Sequence, residues 1–188
     1  MKRWLLGAAL ALAACTSREQ ASSMATTGPS VYAVTATLHD EHAVPMGLDV
    51  YRGHPVIVSM FYGSCPVACP LIISHVQEVE ARLSPAARAD FRVLLVSFDA
   101  ERDTPEALAA IARAHHVDLA RWTFATGSDD DVRQVAAVLG VSYRKLPNGT
   151  FAHDSVITLL ARDGRPVARD DDPVADVAPL AAAAEAMR

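Results

Sequence analysis

Two stretches of the chain are apolar at nearly every position. Pro55–Phe61 (PVIVSMF) and Phe91–Phe98 (FRVLLVSF) are rich in β-branched residues, as strands buried on both faces of a sheet are. Ser155–Ala161 (SVITLLA) predicts another such strand, Asp163-Gly164 a tight turn, and Pro166–Ala168 its hairpin partner. Trp122–Ala125 predicts a short strand. Between these the period becomes helical. In Pro66–Leu83 the residues Val67, Leu71, Ile72, His75, Val79 and Leu83 fall near helical spacing, and Ser84-Pro85 ends the run. Thr104-Pro105-Glu106 starts a helix that runs to about His115, with Thr104 as N-cap, proline at the first position and an acid in the first turn. Asp129–Leu139 opens with acids and closes on Gly140. Val174–Met187 is expected to be a terminal helix. Val31–Leu38 and Leu48–Arg52 predict a leading β-hairpin around the polar turn His39–Val44.

The resulting order is β-α-β-α-β-α-β-β-α after an N-terminal hairpin. It predicts an α/β fold with a central mixed β-sheet flanked by helices. This is the order of a thioredoxin-like fold with an insertion after the second central strand. A length of 188 residues suits one such domain and leaves little room for a second.

The first residues differ in character. Lys2 and Arg3 precede an apolar run, Trp4–Ala14 (WLLGAALALAA), in the layout of a secretory signal peptide. The run is too short to cross a bilayer. Leu12-Ala13-Ala14-Cys15 resembles a bacterial lipobox, in which the cysteine is lipidated and the chain is cut just before it. On this reading residues 1–14 are a lipoprotein signal peptide and Cys15 is the lipidation site. Residues 15–30, rich in Ser, Thr and Ala, form the lipidated N-terminus and a flexible linker to a domain at residues 31–188. Acyl chains contribute about 0.8 kcal/mol per buried CH₂, so a multiply acylated Cys15 would hold a membrane stably. The alternative is an ordinary signal peptide cut at the small residues, with Cys15 incidental. Removing residues 1–14 takes away two bases and no acid, moving the net charge from −5 to −7. No basic face is evident, which argues against nucleic-acid binding by counterion release.

Setting Cys15 aside leaves two cysteines of three. Cys65 and Cys69, in Cys65-Pro66-Val67-Ala68-Cys69-Pro70, stand where a buried strand hands over to a helix. The positive end of the helix dipole stabilises thiolates there and is expected to lower their pKa. A spacing of four places the two about one helical turn apart on one side. Sulfurs so placed suit either a disulfide or chelation of one soft metal ion. A merely structural bridge would close a very small loop and constrain the unfolded chain little. The third candidate is His153, in a loop expected just before a strand. In a thioredoxin-like fold that loop abuts the helix carrying the cysteines. Two thiolates and one imidazole form a soft, low-coordinate set suited to Cu(I). A structural zinc site would want a fourth ligand. The other histidines have structural readings: His39 and His42 flank an acidic turn, His75 lies on an apolar helix stripe, and His115-His116 end a helix. Met60 is expected in the core.

Taken together these pieces resemble the Sco/SenC family of copper-binding, thioredoxin-like proteins. The resemblance runs from Leu38 to about Asp170. Gly53-His54-Pro55-Val56-Ile57-Val58 and Phe61-Tyr62-Gly63-Ser64-Cys65-Pro66-Val67-Ala68-Cys69-Pro70 are similar to the family's strand and C-P-x-x-C-P loop. Val96-Ser97-Phe98-Asp99-Ala100-Glu101-Arg102-Asp103-Thr104-Pro105 is similar to its S-x-D-P-E-R-D-T-P stretch, and His153-Asp154-Ser155 stands where its metal-binding histidine leads into a strand. The chain departs from the pattern at Val67-Ala68, where an Asp is frequent, at Ala100 in place of Pro, and at Asp154, which separates His153 from Ser155.

The resemblance implies one copper ion per chain, held by Cys65, Cys69 and His153. It implies delivery to a cuproprotein target, with the CuA site of cytochrome c oxidase subunit II suspected. It also implies a competing role as a thiol-disulfide oxidoreductase, with Cys65 and Cys69 as the redox pair and disulfide. Chelation needs His153, whereas disulfide exchange can survive without it. A peroxiredoxin-type peroxidase would want a Pro-x-x-x-Thr-x-x-Cys setting, which Phe61–Cys65 lacks. The expected location is the bacterial cell envelope, periplasm-facing, as a membrane-anchored lipoprotein, and the expected state is a monomer.

Overall fold

The structure, a computed structural model, describes residues 28–65 and 68–188; the leader, Cys15 and most of the linker lie outside the described residues. In chain order the strands are β1 (Leu38–Asp40), β2 (Pro45–Met46), β3 (Val56–Phe61), β4 (Arg92–Ser97), β5 (Trp122–Gly127), β6 (Tyr143–Lys145), β7 (Phe151–His153), β8 (Ile157–Leu160) and β9 (Pro166–Asp170). The helices are α1 (Ala68–Arg82), α2 (Pro85–Asp90), α3 (Pro105–Ala114), α4 (Asp129–Leu139) and α5 (Ala178–Glu185). Seven strands make one sheet in the order β2-β1-β5-β4-β3-β8-β9. β3, β4 and β5 run parallel, and β8 runs antiparallel to β3. This is the expected thioredoxin-like arrangement, a central mixed sheet with helices around it.

Why the middle of the sheet forms is plain from its residues. Every position of β3 and β8 is buried, so the strands need apolar side chains on both faces. Two positions are polar, Ser59 and Thr158; Ser59 is fully buried and donates its hydroxyl to the Val156 carbonyl at 2.7 Å, which removes the cost of burying it. Trp122, Phe61, Phe91 and Phe124 are the largest fully buried side chains. Each large side chain so buried stabilises the fold by about 1.5–3 kcal/mol. Met60 lies in this core, as expected.

The helix ends follow their caps. The Thr104 hydroxyl accepts from the Ala107 amide ahead of Pro105, and the Ser128 hydroxyl accepts from the Asp131 amide at the start of α4. Gly140 closes α4 at φ 62°, a left-handed backbone that glycine adopts without strain.

Three sequence expectations are corrected and one is extended. Val31–Leu38 is not a strand: Val31–Ala33 is a short 3₁₀ turn capped by the Ser30 hydroxyl, and pairing starts at Leu38. Leu48–Arg52 is a second 3₁₀ turn, so the leading hairpin is made instead by β1 and β2. Ser84-Pro85 ends α1 and also begins α2, since the Ser84 hydroxyl caps Ala87 and proline fits the first helical position. The terminal helix is shorter than Val174–Met187, because Asp172 and Asp176 cap turns ahead of Ala178. His75 is buried on α1, and its Nδ1 lies 3.1 Å from the Pro173 carbonyl, a structural role.

Candidate functional site

β3 ends at Phe61, and the chain then turns sharply. The Tyr62 carbonyl accepts two hydrogen bonds, from the Cys65 amide at 3.1 Å and from the Cys69 thiol at 2.8 Å. One carbonyl therefore gathers both ends of the cysteine motif. Both cysteines are held as thiols, Cys65 half-buried and Cys69 buried as the second residue of α1. The Cys65 side chain is a hydrogen-bonding neighbour of the Cys69 thiol and of the Tyr62 hydroxyl. The structure thus brings the two sulfurs together.

The expected lowering of thiol pKa is not met at Cys69. Burial pushes its thiol above the ordinary range, and the charge of neighbouring Cys65 adds to this; the bond to the Tyr62 carbonyl does not reverse it. At this position desolvation outweighs the helix dipole.

His153 is not in an open loop. It ends β7, which pairs with β6 in a separate two-stranded hairpin, with His153 opposite Tyr143. Three-residue strands carry too little apolar pattern to be read from sequence. Asp154, the residue that departs from the family pattern, locks the base of this hairpin: its amide donates to the Ser142 carbonyl, and its carboxylate accepts from the Ser142 amide at 2.9 Å. The His153 Nδ1 lies 3.0 Å from the Asp154 carbonyl. A carbonyl only accepts, so in the neutral ring Nδ1 is the protonated nitrogen and Nε2 has the lone pair.

Aromatic rings join the hairpin to the body. The His153 ring meets Tyr62 edge-on at 5.7 Å and Phe98 at 5.0 Å. Phe98 stacks on Tyr143 at 4.8 Å, and Phe151 packs on both Tyr62 and Phe98. Four of the chain's eleven aromatic residues so converge around one histidine. Tyr62 touches both His153, ring to ring, and the cysteines, through its carbonyl and hydroxyl. Among the described residues, no three His, Cys, Asp or Glu side chains stand close enough together to hold one metal ion.

Residues 97–103 underlie both halves. The Asp103 carboxylate, 3% exposed, accepts from the Gly63 amide at 2.7 Å and from the Ser97 hydroxyl. Burial raises its pKa, and these hydrogen bonds oppose that shift. Gly63 has no room for a side chain: a Cβ there would stand 2.5 Å from Asp103 Oδ1 and 2.6 Å from Ile111 Cδ1. On the other flank, Arg102 joins the buried Asp99 carboxylate to the Gly149 carbonyl of the hairpin turn, both at 2.9 Å.

A family model described as SCO1/SenC matches residues 25–187. The chain belongs to the SCO1/SenC family. Among Sco relatives it is 23% identical over 134 residues to the SCO2-like protein RP587 of Rickettsia prowazekii, an alignment covering 68% of this chain and 63% of that protein. The chain therefore spans less than two thirds of the length of the curated relatives it matches. Its fold is similar to the structure of Bradyrhizobium japonicum ScoI with copper bound, at TM-score 0.71 and 22% identity, covering 81% of this chain and 97% of that one. It is also similar to a SCO1/SenC family lipoprotein from Bacillus anthracis, at TM-score 0.73 and 17% identity, covering 80% and 91%. No helix among the described residues is long and apolar enough to cross a membrane.

Sequence reasoning overlooked Tyr62, Phe98, Tyr143 and Phe151 as parts of this site. The signal available was their position: Tyr62 and Phe98 lie inside the two motifs, and Phe151 is two residues before His153.

Proposed function

We propose that this Sco/SenC chain is a copper-binding metallochaperone. Cys65 and Cys69 supply thiolates, His153 supplies Nε2, and one copper ion per chain is the cargo. The observation that carries this reading is that Tyr62 touches both halves, the Cys69 thiol through its carbonyl and the His153 ring through its own ring, while the bond to Asp154 leaves Nε2 of the neutral imidazole with its lone pair. Two sulfurs and one nitrogen suit Cu(I), and a small ligand number leaves room for exchange into a target. The target fitting the family resemblance is a membrane-associated cuproprotein, the CuA site of cytochrome c oxidase subunit II. A lipid on Cys15 would keep the domain at the periplasmic face of the membrane, within reach of such a partner, as a monomer on a tether of residues 15–30. No nucleic acid is involved.

A second reading rests on a separate observation. The sulfurs are already neighbours and are unequal, Cys65 half-buried and Cys69 buried with a raised pKa, whereas the third ligand is not gathered with them. That asymmetry suits an extracytoplasmic thiol-disulfide oxidoreductase. The Cys65 thiolate would attack a target disulfide and Cys69 would displace the target thiol, leaving a Cys65–Cys69 disulfide and a reduced target.

The test mixes copper-loaded, full-length protein with a purified, metal-free CuA domain whose cysteines are already reduced. The two are then separated and each is assayed for copper. Metal moving to the acceptor from wild type, and none carried by Cys65→Ser or Cys69→Ser, supports the chaperone. If no copper moves, but the chain reduces an oxidised acceptor, the second reading replaces it.

A further inference from the structure

The β6–β7 hairpin is loosely supported for an element that carries a proposed ligand. Its two strands pair with each other and with no other described strand, outside the main sheet. A cavity of about 200 Å³ lies against it, lined among others by Phe98, Asp99, Arg133, Tyr143 and Phe151. Tyr62 packs on Phe151 and on His153, and further ties that set the hairpin's position run to the segment after β4. Three are aromatic, Phe98 with Tyr143, with Phe151 and with His153 itself. One is the exposed ion pair Lys145–Glu101, and such pairs contribute little. The remaining tie is of another kind. Arg102 Nη1 donates to Asp99 Oδ2 and to the Gly149 carbonyl, and Asp99 is 2% exposed. A guanidinium anchored on a buried carboxylate is fixed in direction, and its planar fork loses little freedom in making the second bond. Asp99 is itself fixed, since its amide donates to the Ser97 hydroxyl and its carbonyl accepts from the Arg102 and Asp103 amides. The turn is shaped to receive the arginine: Gly149 has φ +79°, and a Cβ there would lie 2.9 Å from Arg102 Nη2.

We propose that Arg102 is a positioning residue for His153, holding the β6–β7 hairpin, and with it the imidazole, in place relative to the cysteine pair by bridging buried Asp99 to the Gly149 carbonyl. The inference rests on the reading of His153 as a copper ligand. Arg102 touches neither metal nor sulfur and acts through the hairpin. The same short segment grips the cysteine loop through Asp103 and Gly63, so residues 97–103 set the separation of the two halves of the site.

The experiment is a double-mutant cycle on the reduced full-length protein, titrated with Cu(I) against a chromophoric chelator. The forms compared are wild type, Arg102→Met, His153→Ala and the double variant, with the reduction potential of the cysteine pair measured on each. Arg102→Met is expected to weaken Cu(I) binding about tenfold, the lower end of what outer-shell partners give. It is expected to add nothing once His153 is gone and to leave the dithiol potential unchanged. Arg102→Lys, which keeps the charge beside Asp99 but loses the fork, gives a second variant should Arg102→Met unfold; the same dependence on His153 is expected of it. An equal loss with and without His153, or no loss at all, overturns the inference. If His153→Ala weakens binding and neither Arg102 variant does, the copper reading stands and this inference alone falls. If His153→Ala changes nothing, both fall.

Discussion

The ring of Tyr62 stands edge-on to that of His153, 5.7 Å between centroids, while the carbonyl of the same tyrosine accepts the Cys69 thiol at 2.8 Å. One residue thus touches the nitrogen half of the site with its side chain and the sulfur half with its backbone. Tyr62→Ala removes the ring and leaves the backbone bond. Truncating a large buried aromatic costs about 3–5 kcal/mol, so a clear fall in Tm is expected together with weaker Cu(I) binding. Tyr62→Phe keeps the ring, loses only the hydroxyl's bonds to Cys65 and the Phe151 backbone, and is expected to cost far less, about 1 kcal/mol. Thermal unfolding and copper competition on the two variants check this.

Gly63→Ala places a methyl group against Asp103 and Ile111. Overpacking of this kind costs about 1–3 kcal/mol. Because the crowded atom belongs to Asp103, which also holds the Gly63 amide, the effects of Gly63→Ala and Asp103→Ala are expected to be less than additive. Urea unfolding of the two single variants and the double variant reads the coupling.

The thiols differ in access and in proton affinity. Cys69 is buried with its pKa raised, and Cys65 is half-buried. Iodoacetamide reacts with an accessible thiolate, so at neutral pH it is expected to label Cys65 well before Cys69. Peptide fragmentation by mass spectrometry assigns the site, and labelling of Cys69 first would contradict the geometry described.

At the opposite end of β3, Asp90 receives His54 Nδ1 at 2.6 Å and Arg162 at 2.5 Å. Burial alone would raise its pKa, but the hydrogen bonds and charges of Arg162 and His54 outweigh this and hold it below the usual carboxylate range. A group with a lowered folded pKa adds stability above its unfolded value, near pH 4, and loses it as the pH falls through the folded value. Arg162→Met is therefore expected to destabilise at pH 7, by about 1 kcal/mol or less for so exposed a pair. The gap to wild type is expected to close as the pH drops well below 4. Urea midpoints measured against pH give the answer.

The parts of the fold that the sequence made legible are those where burial leaves little choice of residue. β3, β4 and β8 are apolar at most positions because water reaches neither face of nearly all of them. Thr104-Pro105 and Gly140 mark helix ends because backbone groups there need a cap or a left-handed residue. The cysteine motif was legible for a similar reason, since the strand-to-helix handover dictates its place. The hairpin that holds His153 was not. Its strands are only three residues long, and the Asn148-Gly149 dipeptide, a strong turn signal, lies in a stretch too short for alternation to frame it. Its docking depends on Phe98, far away in sequence, meeting Tyr143 and Phe151, a tertiary fact that no local pattern carries. Burial of Cys69 is a fact of the same kind, which is why its raised pKa runs against the expectation from the helix dipole alone.

The most direct test of the account is the Cu(I) affinity of the reduced full-length protein, measured by chelator competition for wild type and for His153→Ala. The account predicts one Cu(I) per chain in wild type and a loss of at least about tenfold without the imidazole, since even outer-shell changes at metal sites cost that much. Equal affinities, or no binding by wild type, would contradict a site built from Cys65, Cys69 and His153 and would leave the cysteine pair as a redox centre alone.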